Sequence, residues 1–237
     1  MGYTSNDVVQ KVRKALHTKK VGHAGTLDPL ATGVLPILIG QGTKLSKYLI
    51  EHDKTYIATI NLGEKKDTGD AEGQTIQTKP VEKLEVDRIK KVLASFLGKQ
   101  KQIPPMYSAI KKEGKKLYEY ARKGIEIERD ARDIEIKQIE LIDYQDNRSI
   151  CFEVSCSKGT YIRVLCENIA EKLNTVGYMT NLVRTRVNEF TLANTVTLEE
   201  LANIEKTKKG FYSIEQIFSK QKEIVLEEKK LIQFLNG

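Results

Sequence analysis

The chain has 237 residues, of which 40% are apolar and 30% charged, so it can bury a core as one elaborated domain or two small ones. No apolar run approaches the ~18 to 20 residues that a membrane helix requires, and MGYTSNDVV lacks the pattern of a signal peptide, so we expect a cytoplasmic protein. The net charge of +7 suggests a polyanionic partner, and the three cysteines lack the spacing of a metal site.

The first predicted elements are a helix and, after a glycine-rich loop, a strand. Thr4 or Ser5 is expected to cap the helix, because apolar residues recur at helical spacing over 8–16. The segment GVLPILIG at 33–40 predicts one short buried strand. Because proline lacks an N–H group, Pro36 predicts that this strand lies at a sheet edge or carries a bulge.

Alternating strands and amphipathic helices follow. Residues 54–63 alternate with the period of a half-buried strand, and 85–97 predict a helix that ends before a glycine. Residues 150–157 alternate again, and apolar residues at helical spacing follow over 162–173. The elements do not alternate regularly between strand and helix, which favours an α+β domain on a mixed or antiparallel sheet.

Most of the excess of positive over negative charge lies in one stretch. Between Gly98 and Gly124 there are eight lysines and arginines against two glutamates, whereas 191–237 carry seven basic and seven acidic residues. A basic stretch that also holds three tyrosines is suited to binding nucleic acid. The alternative is the solvated face of a helix.

Several common motifs are absent from the sequence. The acids of DTGDAEG at 67–73 do not have the spacing of an EF-hand, so a solvated turn is expected there. The glycines of GHAGTLDPLATG at 22–33 match neither a P-loop nor a dinucleotide fingerprint. ATP and NAD are therefore not indicated.

Asp28 is the one carboxylate in this glycine-rich loop. Its side chain could cap the turn before Pro29, as an isolated Asp-Pro commonly does. The small residues around it would also let a planar substrate approach the backbone, and a lone carboxylate is suited to nucleophilic attack. The residues themselves leave both interpretations open.

Five motifs in one order resemble the bacterial tRNA pseudouridine synthases of the TruB type, which make the pseudouridine at position 55 of the T arm. They are GHAGTLDPLATGVLPILIGQGTK, KTYIATINLG with DTGDAEG after it, QIPPMYSAIKKEGKKLYEYARKG, CSKGTYIRVL and LVRTRVNEF. The similarity runs from about Thr4 to Phe190. It implies a pseudouridine synthase catalytic domain with a basic, thumb-like insertion.

The resemblance implies that Asp28 is the catalytic aspartate, which attacks the nucleoside so that uracil detaches, turns over and rejoins the ribose through carbon. It implies that Tyr56 stacks on the uracil and helps to move the C5 proton, where otherwise a core aromatic would be expected. Arg163 is then the ion-pair partner of the aspartate, whereas an arginine in the first turn of a helix would otherwise be expected at the surface. No cofactor or metal is implied.

The remaining assignments from the family concern the RNA. His23 corresponds to a residue that contacts the T loop, Lys44 to a lysine on the RNA side, and Leu182 to a pocket-lining leucine that would otherwise be simply core. The insertion, at about 98–132, is expected to fold over the RNA. The expected substrate-binding residues are His23, Lys44, Tyr56, Tyr161, Leu182, Lys111 and Lys115.

The family also suggests domain boundaries and partners. We expect a catalytic domain over 1–190 and a short or incomplete C-terminal RNA-binding domain over 191–237. Family members carry a strand that ends in Lys-Pro-x-Gly-x-Thr-Ser, of which only 2–5 remain, so the chain is expected to begin late. The expected partner is the T stem-loop of tRNA, bound by a monomer that needs no other protein.

Three other functions remain as alternatives. A guide-RNA-dependent pseudouridine synthase of the archaeal and eukaryotic kind shares the catalytic motifs but needs protein partners, and the insertion argues against it. A non-catalytic RNA-binding module would not require Asp28. A nucleoside hydrolase is disfavoured because the paired carboxylates of most glycosidases are missing.

Overall fold

The computed structural model describes residues 2–203, 209–222 and 225–227, together with Lys230 and Phe234. The α-helices of these residues are α1 (Ser5–Ala15), α2 (Ser46–Ile50), α3 (Val86–Ala94), α4 (Leu117–Ala121), α5 (Ile162–Lys172) and α6 (Ile214–Phe218). Short 3-10 helices cover Gly40–Leu45, Leu192–Asn194 and Glu200–Asn203.

The strands form one large sheet and three small pairs. In chain order they are β1 (Val21–His23), β2 (Thr32–Gly33), β3 (Ile37–Ile39), β4 (Lys54–Leu62), β5 (Glu64–Lys66), β6 (Thr75–Thr78), β7 (Gly98–Gln102), β8 (Lys111–Lys112), β9 (Lys115–Lys116), β10 (Arg132–Gln145), β11 (Ser149–Cys156), β12 (Gly177–Val187) and β13 (Phe190–Thr191). The large sheet has the order β13-β12-β4-β11-β10-β7, and β2 lies beside β12.

This sheet is mixed, which confirms the predicted α+β class. The pair β2–β12 is parallel, and the other neighbours in the sheet are antiparallel. The pairs β1–β3, β5–β6 and β8–β9 lie outside it. None of the helices in the described part of the chain is long and apolar enough to cross a membrane.

Strand β4 lies at the centre of the sheet, and its alternation explains which face is buried. Ala58, Ile60 and Leu62 share one face, and each is 0% exposed. Helices α3 and α5 pack on the same core, where burying one leucine or isoleucine contributes about 1.5–3 kcal/mol. The helix side chains in this core include Ile89, Leu93, Leu165 and Ile169.

Helix α1 packs outside the main core, in a separate apolar cluster. Thr4 caps it as predicted: its hydroxyl accepts a hydrogen bond from the Asp7 N–H, and the Asp7 carboxylate accepts one from the Thr4 N–H. Val9 and Val12 then pack against Val21 of β1. The helix thereby supports the segment that leads into the loop of Asp28.

The prediction of one continuous strand over 33–40 was wrong. The segment is divided into β2 and β3, which pair with β12 and β1 respectively. Between them the Ala24 N–H donates to the Pro36 carbonyl at 3.0 Å and the Val34 N–H donates to the Arg184 carbonyl at 2.8 Å. The two ends of the segment therefore pair with different neighbours, a long-range choice that its apolar pattern does not reveal.

Candidate active site

Asp28 lies in the loop between β1 and β2, which is anchored on both sides of it. The Leu27 N–H donates to Ser5 Oγ at 2.9 Å, and the Ala31 N–H donates to the Asp28 carbonyl at 2.9 Å. Ala31 belongs to the main core, and Leu27 packs against it. Because the backbone carbonyl of Asp28 closes the turn, the carboxylate is available for other contacts.

The carboxylate of Asp28 forms an ion pair with Arg163. Arg163 Nε donates to Oδ2 at 2.9 Å and Nη2 donates to Oδ1 at 3.4 Å, so the pairing is side-on. Arg163 is only 5% exposed, although it lies in the first turn of α5. The expectation of a surface side chain, which rests on its place in the helix alone, was therefore wrong.

Arg163 is held by further contacts that fix the guanidinium. Nη1 donates to the Thr68 carbonyl and Nη2 to the Tyr107 carbonyl, both at 2.8 Å. These acceptors lie in two separate loops, one after β5 and one after β7. The Asp28 side chain retains 34% exposure, so one side of the pair is open to a ligand while the arginine is enclosed.

Asp70 is a second carboxylate at this site, so both the expectation of a lone carboxylate and the prediction of a solvated turn over 67–73 were wrong. It is 5% exposed, and its Oδ2 lies 3.7 Å from Arg163 Nε. Its Oδ1 accepts from Thr68 Oγ1 at 2.6 Å and from the Glu72 N–H at 3.1 Å. The spacing of the acidic residues in 67–73 excluded an EF-hand calcium loop. It could not show that Asp70 faces Arg163, which lies almost a hundred residues further along the chain.

Tyr56 lies on β4, directly across from Arg184 of β12, and is 8% exposed. Its ring belongs to the main core together with Ala31 of the loop that carries Asp28. Burial raises the pKa of the Tyr56 hydroxyl to about 12; the charge of Arg184 opposes this, and the charges of Cys156 and Asp28 add to it. The ring is therefore a neutral phenol at physiological pH, within the electrostatic reach of Asp28.

Tyr161 and Leu182 border the same region. The Tyr161 N–H donates to Gln102 Oε1 at 2.8 Å, and Gln102 Nε2 donates back to the Tyr161 carbonyl at 3.1 Å, which locks the start of α5. Burial raises the pKa of the half-buried Tyr161 hydroxyl, and the neighbouring Ser108 side chain and the charges of Arg132 and Arg163 oppose that shift. Leu182 is 4% exposed on β12, opposite Ala58, and belongs to the main core.

His23 and Lys44 lie outside the Asp28–Arg163 ion pair. His23 is on β1 and half-buried, and burial together with the charge of Arg184 lowers the pKa of its imidazole, which favours the neutral form. Lys44 is exposed in the 3-10 helix of 40–45. Among the described residues, no hydrogen bond joins either of them to the Asp28–Arg163 pair.

Four lysines of the basic stretch form a β-hairpin, so the alternative of a solvated helical face was wrong for them. Lys111 pairs with Lys116 and Lys112 with Lys115, and both Lys111 and Lys115 are exposed. Four like charges on two paired strands repel one another, so the hairpin is suited to an anionic ligand. The base of this stretch reaches Arg163 through the Tyr107 carbonyl.

Family comparison matches almost the whole described chain. Residues 13–162 match "TruB family pseudouridylate synthase (N terminal domain)", and residues 163–218 match "tRNA pseudouridylate synthase B C-terminal domain". The chain is 51% identical to a tRNA pseudouridine synthase B of Psychrobacter cryohalolentis over 84% of its own length and 57% of that protein. It is 46% identical to one of Alkaliphilus oremlandii over 100% of its length and 78% of that protein.

The fold is also similar to that of a chain in the crystal structure of a Cbf5–Nop10–Gar1 complex. The match has a TM-score of 0.66 and 29% identity, and it covers 86% of this chain and 51% of the other. The chain spans less than two thirds of the length of the first curated relatives that it matches, for example 57% and 66%. The residues matched by the two family models, 13–162 and 163–218, include Asp28, Tyr56 and Arg163.

Proposed function

The chain belongs to the TruB family of pseudouridylate synthases, and from that premise we propose that it converts the uridine at position 55 of the tRNA T arm to pseudouridine. The observation that carries this proposal is the enclosed Arg163, which holds the partly exposed carboxylate of Asp28. A positioned, accessible carboxylate is what a covalent mechanism requires.

In the proposed reaction Asp28 attacks the nucleoside, and the bond between N1 of uracil and C1′ of the ribose breaks. The uracil turns over, C5 bonds to C1′ as the bond between the nucleoside and the Asp28 carboxylate breaks, the C5 hydrogen leaves as a proton and N1 acquires one. The product therefore has the same composition as the substrate. Arg163 is proposed to keep the carboxylate in line with the nucleoside throughout, because it contributes two hydrogen bonds to it.

Tyr56 is proposed to stack on the uracil and to take part in moving the C5 proton. Since the pKa of its hydroxyl is about 12, the ring enters as a phenol and can accept a proton only while passing its own to a neighbour. Tyr161 and Leu182 are proposed to line the uracil pocket. Two positions support this: Tyr161 is half-buried at the start of α5, and Leu182 is buried opposite Ala58.

RNA binding is proposed to depend on residues away from the ion pair. The target base has to be extruded from folded RNA at a cost of a few kcal/mol, which contacts to bases and phosphates must offset. His23 and Lys44 are proposed to contact the T loop, and Lys111 and Lys115 the phosphates. The exposure of the lysines and the neutral form of His23 suit these contacts.

We also propose that the protein acts alone on tRNA, as a cytoplasmic monomer with a catalytic domain over 1–190 and an RNA-binding segment over 191–237. Curated relatives with about 50% identity to this chain are named tRNA pseudouridine synthase B. The similar chain in the Cbf5 complex has only 29% identity. The lower identity makes the guide-RNA-dependent type the less supported alternative.

The proposed function is tested with a tRNA transcript that carries tritium at C5 of its uridines. We expect the purified chain to release the tritium of one uridine per tRNA into water without guide RNA or another protein. A transcript with cytidine at position 55 is the control and should release none. Tight binding without any release would instead indicate a non-catalytic RNA-binding module, and free uracil would indicate a nucleoside hydrolase.

Neutralising the hairpin is expected to weaken tRNA binding and flatten its dependence on salt. Each lost phosphate contact should reduce the slope of log K against log salt by roughly 0.7 to 0.9, because fewer counterions are released. The rate of the chemical step at saturating enzyme should change much less. The substitutions are Lys111→Gln, Lys112→Gln, Lys115→Gln and Lys116→Gln, combined in one variant and measured by filter binding at several salt concentrations.

The matched control for the hairpin variant removes the same charge from another exposed part of the surface. It combines Lys79→Gln, Lys83→Gln, Lys90→Gln and Lys91→Gln, all of which lie in or before α3. A general loss of net charge would affect both variants equally. If the hairpin variant kept its affinity and salt slope, the hairpin would not contact the RNA.

A further inference from the structure

Arg184 is a buried arginine whose side chain donates to three backbone carbonyls, two in the loop of Asp28 and one just after β2. It is 1% exposed on β12. Its Nη2 donates to the Gly25 carbonyl at 3.1 Å, and its Nη1 to the Thr26 carbonyl at 3.2 Å. Its Nε donates to the Val34 carbonyl at 2.7 Å. Two acceptors precede Asp28 and one follows it, so a single guanidinium ties the two ends of the loop together.

The backbone of Arg184 holds the chain where the loop of Asp28 enters β2. Its carbonyl accepts from the Val34 N–H at 2.8 Å. At Gly33 the chain passes so close that a Cβ would lie 2.2 Å from the Arg184 carbonyl oxygen, and the φ of Gly33 is +109°. Both facts require glycine at this position. The loop is therefore fixed against Arg184 by main chain and side chain together.

The cost of burying this guanidinium indicates a role beyond filling space. In the described part of the chain no carboxylate lies within ion-pair distance of Arg184, whereas Arg163 has two. A buried charge without a counter-charge is costly unless hydrogen bonds compensate it, and an apolar side chain often fills such a site at lower cost. What an apolar side chain cannot do is hold three carbonyls in a fixed relative geometry.

Arg184 also adjoins the second proposed catalytic element. It lies directly across from Tyr56 in the β4–β12 register. Its charge lowers the pKa of the Tyr56 hydroxyl against the larger effect of burial. The Arg184 side chain thus contacts the loop of Asp28 and lies beside Tyr56. The loop and Tyr56 belong to different elements of the fold.

We propose that Arg184 is a positioning residue, which sets the distance between Asp28 and Tyr56 by clamping both ends of the Asp28 loop to β12. This inference rests on the proposed function, in which those two side chains act on one nucleoside. Arg163 donates to the carboxylate itself, whereas the hydrogen bonds of the Arg184 guanidinium go to three backbone carbonyls around it. Loss of the clamp should therefore slow the chemistry and leave RNA binding almost unchanged.

The test uses Arg184→Lys, which keeps the charge but cannot span three carbonyls as a fork, and Arg184→Met, which keeps only the length. Single-turnover tritium release at saturating enzyme should fall about 10-fold for the lysine variant and about 100-fold for the methionine variant. Affinity for tRNA should change by no more than about threefold. Arg186→Met, on the exposed side of the same strand, is the matched control and should behave like the parent.

Gly33→Ala tests the same clamp from the loop side without removing a buried charge. The added methyl group meets the Arg184 carbonyl, so we expect loss of turnover with retained affinity here too. If circular dichroism shows that both Arg184 variants are unfolded, the turnover and affinity of Gly33→Ala test the proposal instead.

Three results would overturn the inference: parental turnover in a folded Arg184 variant, parental turnover in Gly33→Ala, or equal losses of binding and turnover in any of these variants. A parent that releases no tritium would overturn the proposed function itself, which is a distinguishable result.

Discussion

Asp28→Asn is expected to abolish tritium release from tRNA while leaving tRNA affinity close to that of the parent. The amide has the size of the carboxylate but is a poor nucleophile, so the rate should fall by at least about four orders of magnitude. The amide oxygen can still accept a hydrogen bond from Arg163, which also retains Asp70 and the Thr68 carbonyl. The fold should therefore persist, and the loss should be confined to the chemistry.

The measurement compares tritium release and filter binding for this variant and for Asp87→Asn. Asp87 is an exposed aspartate in the first turn of α3, so its substitution controls for the change of one charge. The control should match the parent in both assays. Release by the Asp28→Asn variant at close to the parental rate would remove Asp28 from the proposed mechanism.

Substitutions of Tyr56 are expected to separate stacking from proton transfer. Tyr56→Phe keeps the ring, so tRNA affinity should remain near the parental value, whereas turnover should fall by about 10²–10⁴. The variant should turn over slowly or stall after the glycosidic bond is broken. Because the Arg184 guanidinium also donates to three carbonyls, it stays anchored when the Tyr56 hydroxyl is removed, and the fold should persist.

Tyr56→Leu should lose both contributions. Stacking of a base on an aromatic ring is worth on the order of 1–3 kcal/mol, so this variant should also bind tRNA more weakly. Its thermal unfolding must be measured, because the ring is part of the core. Tyr144→Phe, on β10, is the control for loss of a phenol. A Tyr56→Phe variant with unaltered turnover would end the assignment of the hydroxyl.

Local patterns in the sequence determined much of the fold. The capping residues at Thr4, the alternation over 54–63 and the helical spacing after Tyr161 each predicted an element that the structure confirms. These signals lie within a few residues of one another, because helix caps and strand alternation are local properties. The glycine-rich loop also identified Asp28 as the carboxylate to consider, and the family resemblance then assigned its role.

Other features depend on contacts between distant parts of the chain. The lysines at 111–116 carry the charge of a solvated helix, yet they pair as a hairpin. The segment 33–40 has the pattern of one strand, yet its ends pair with β12 and β1. In both segments the residues themselves permit more than one backbone, and the neighbours across the sheet or turn select one.

The contacts between the residues of the site were decided by tertiary structure. Asp28 and Arg163 are 135 residues apart, and Arg184 lies 150 residues from the carbonyl of Val34. Neither the burial of Asp70 nor the three carbonyls around Arg184 has a local signature, since an acid in a turn and an arginine on a strand are both common at surfaces. Sequence periodicity reports which face of an element is apolar. Only packing decides which polar groups are enclosed together, because each needs a partner that another element supplies.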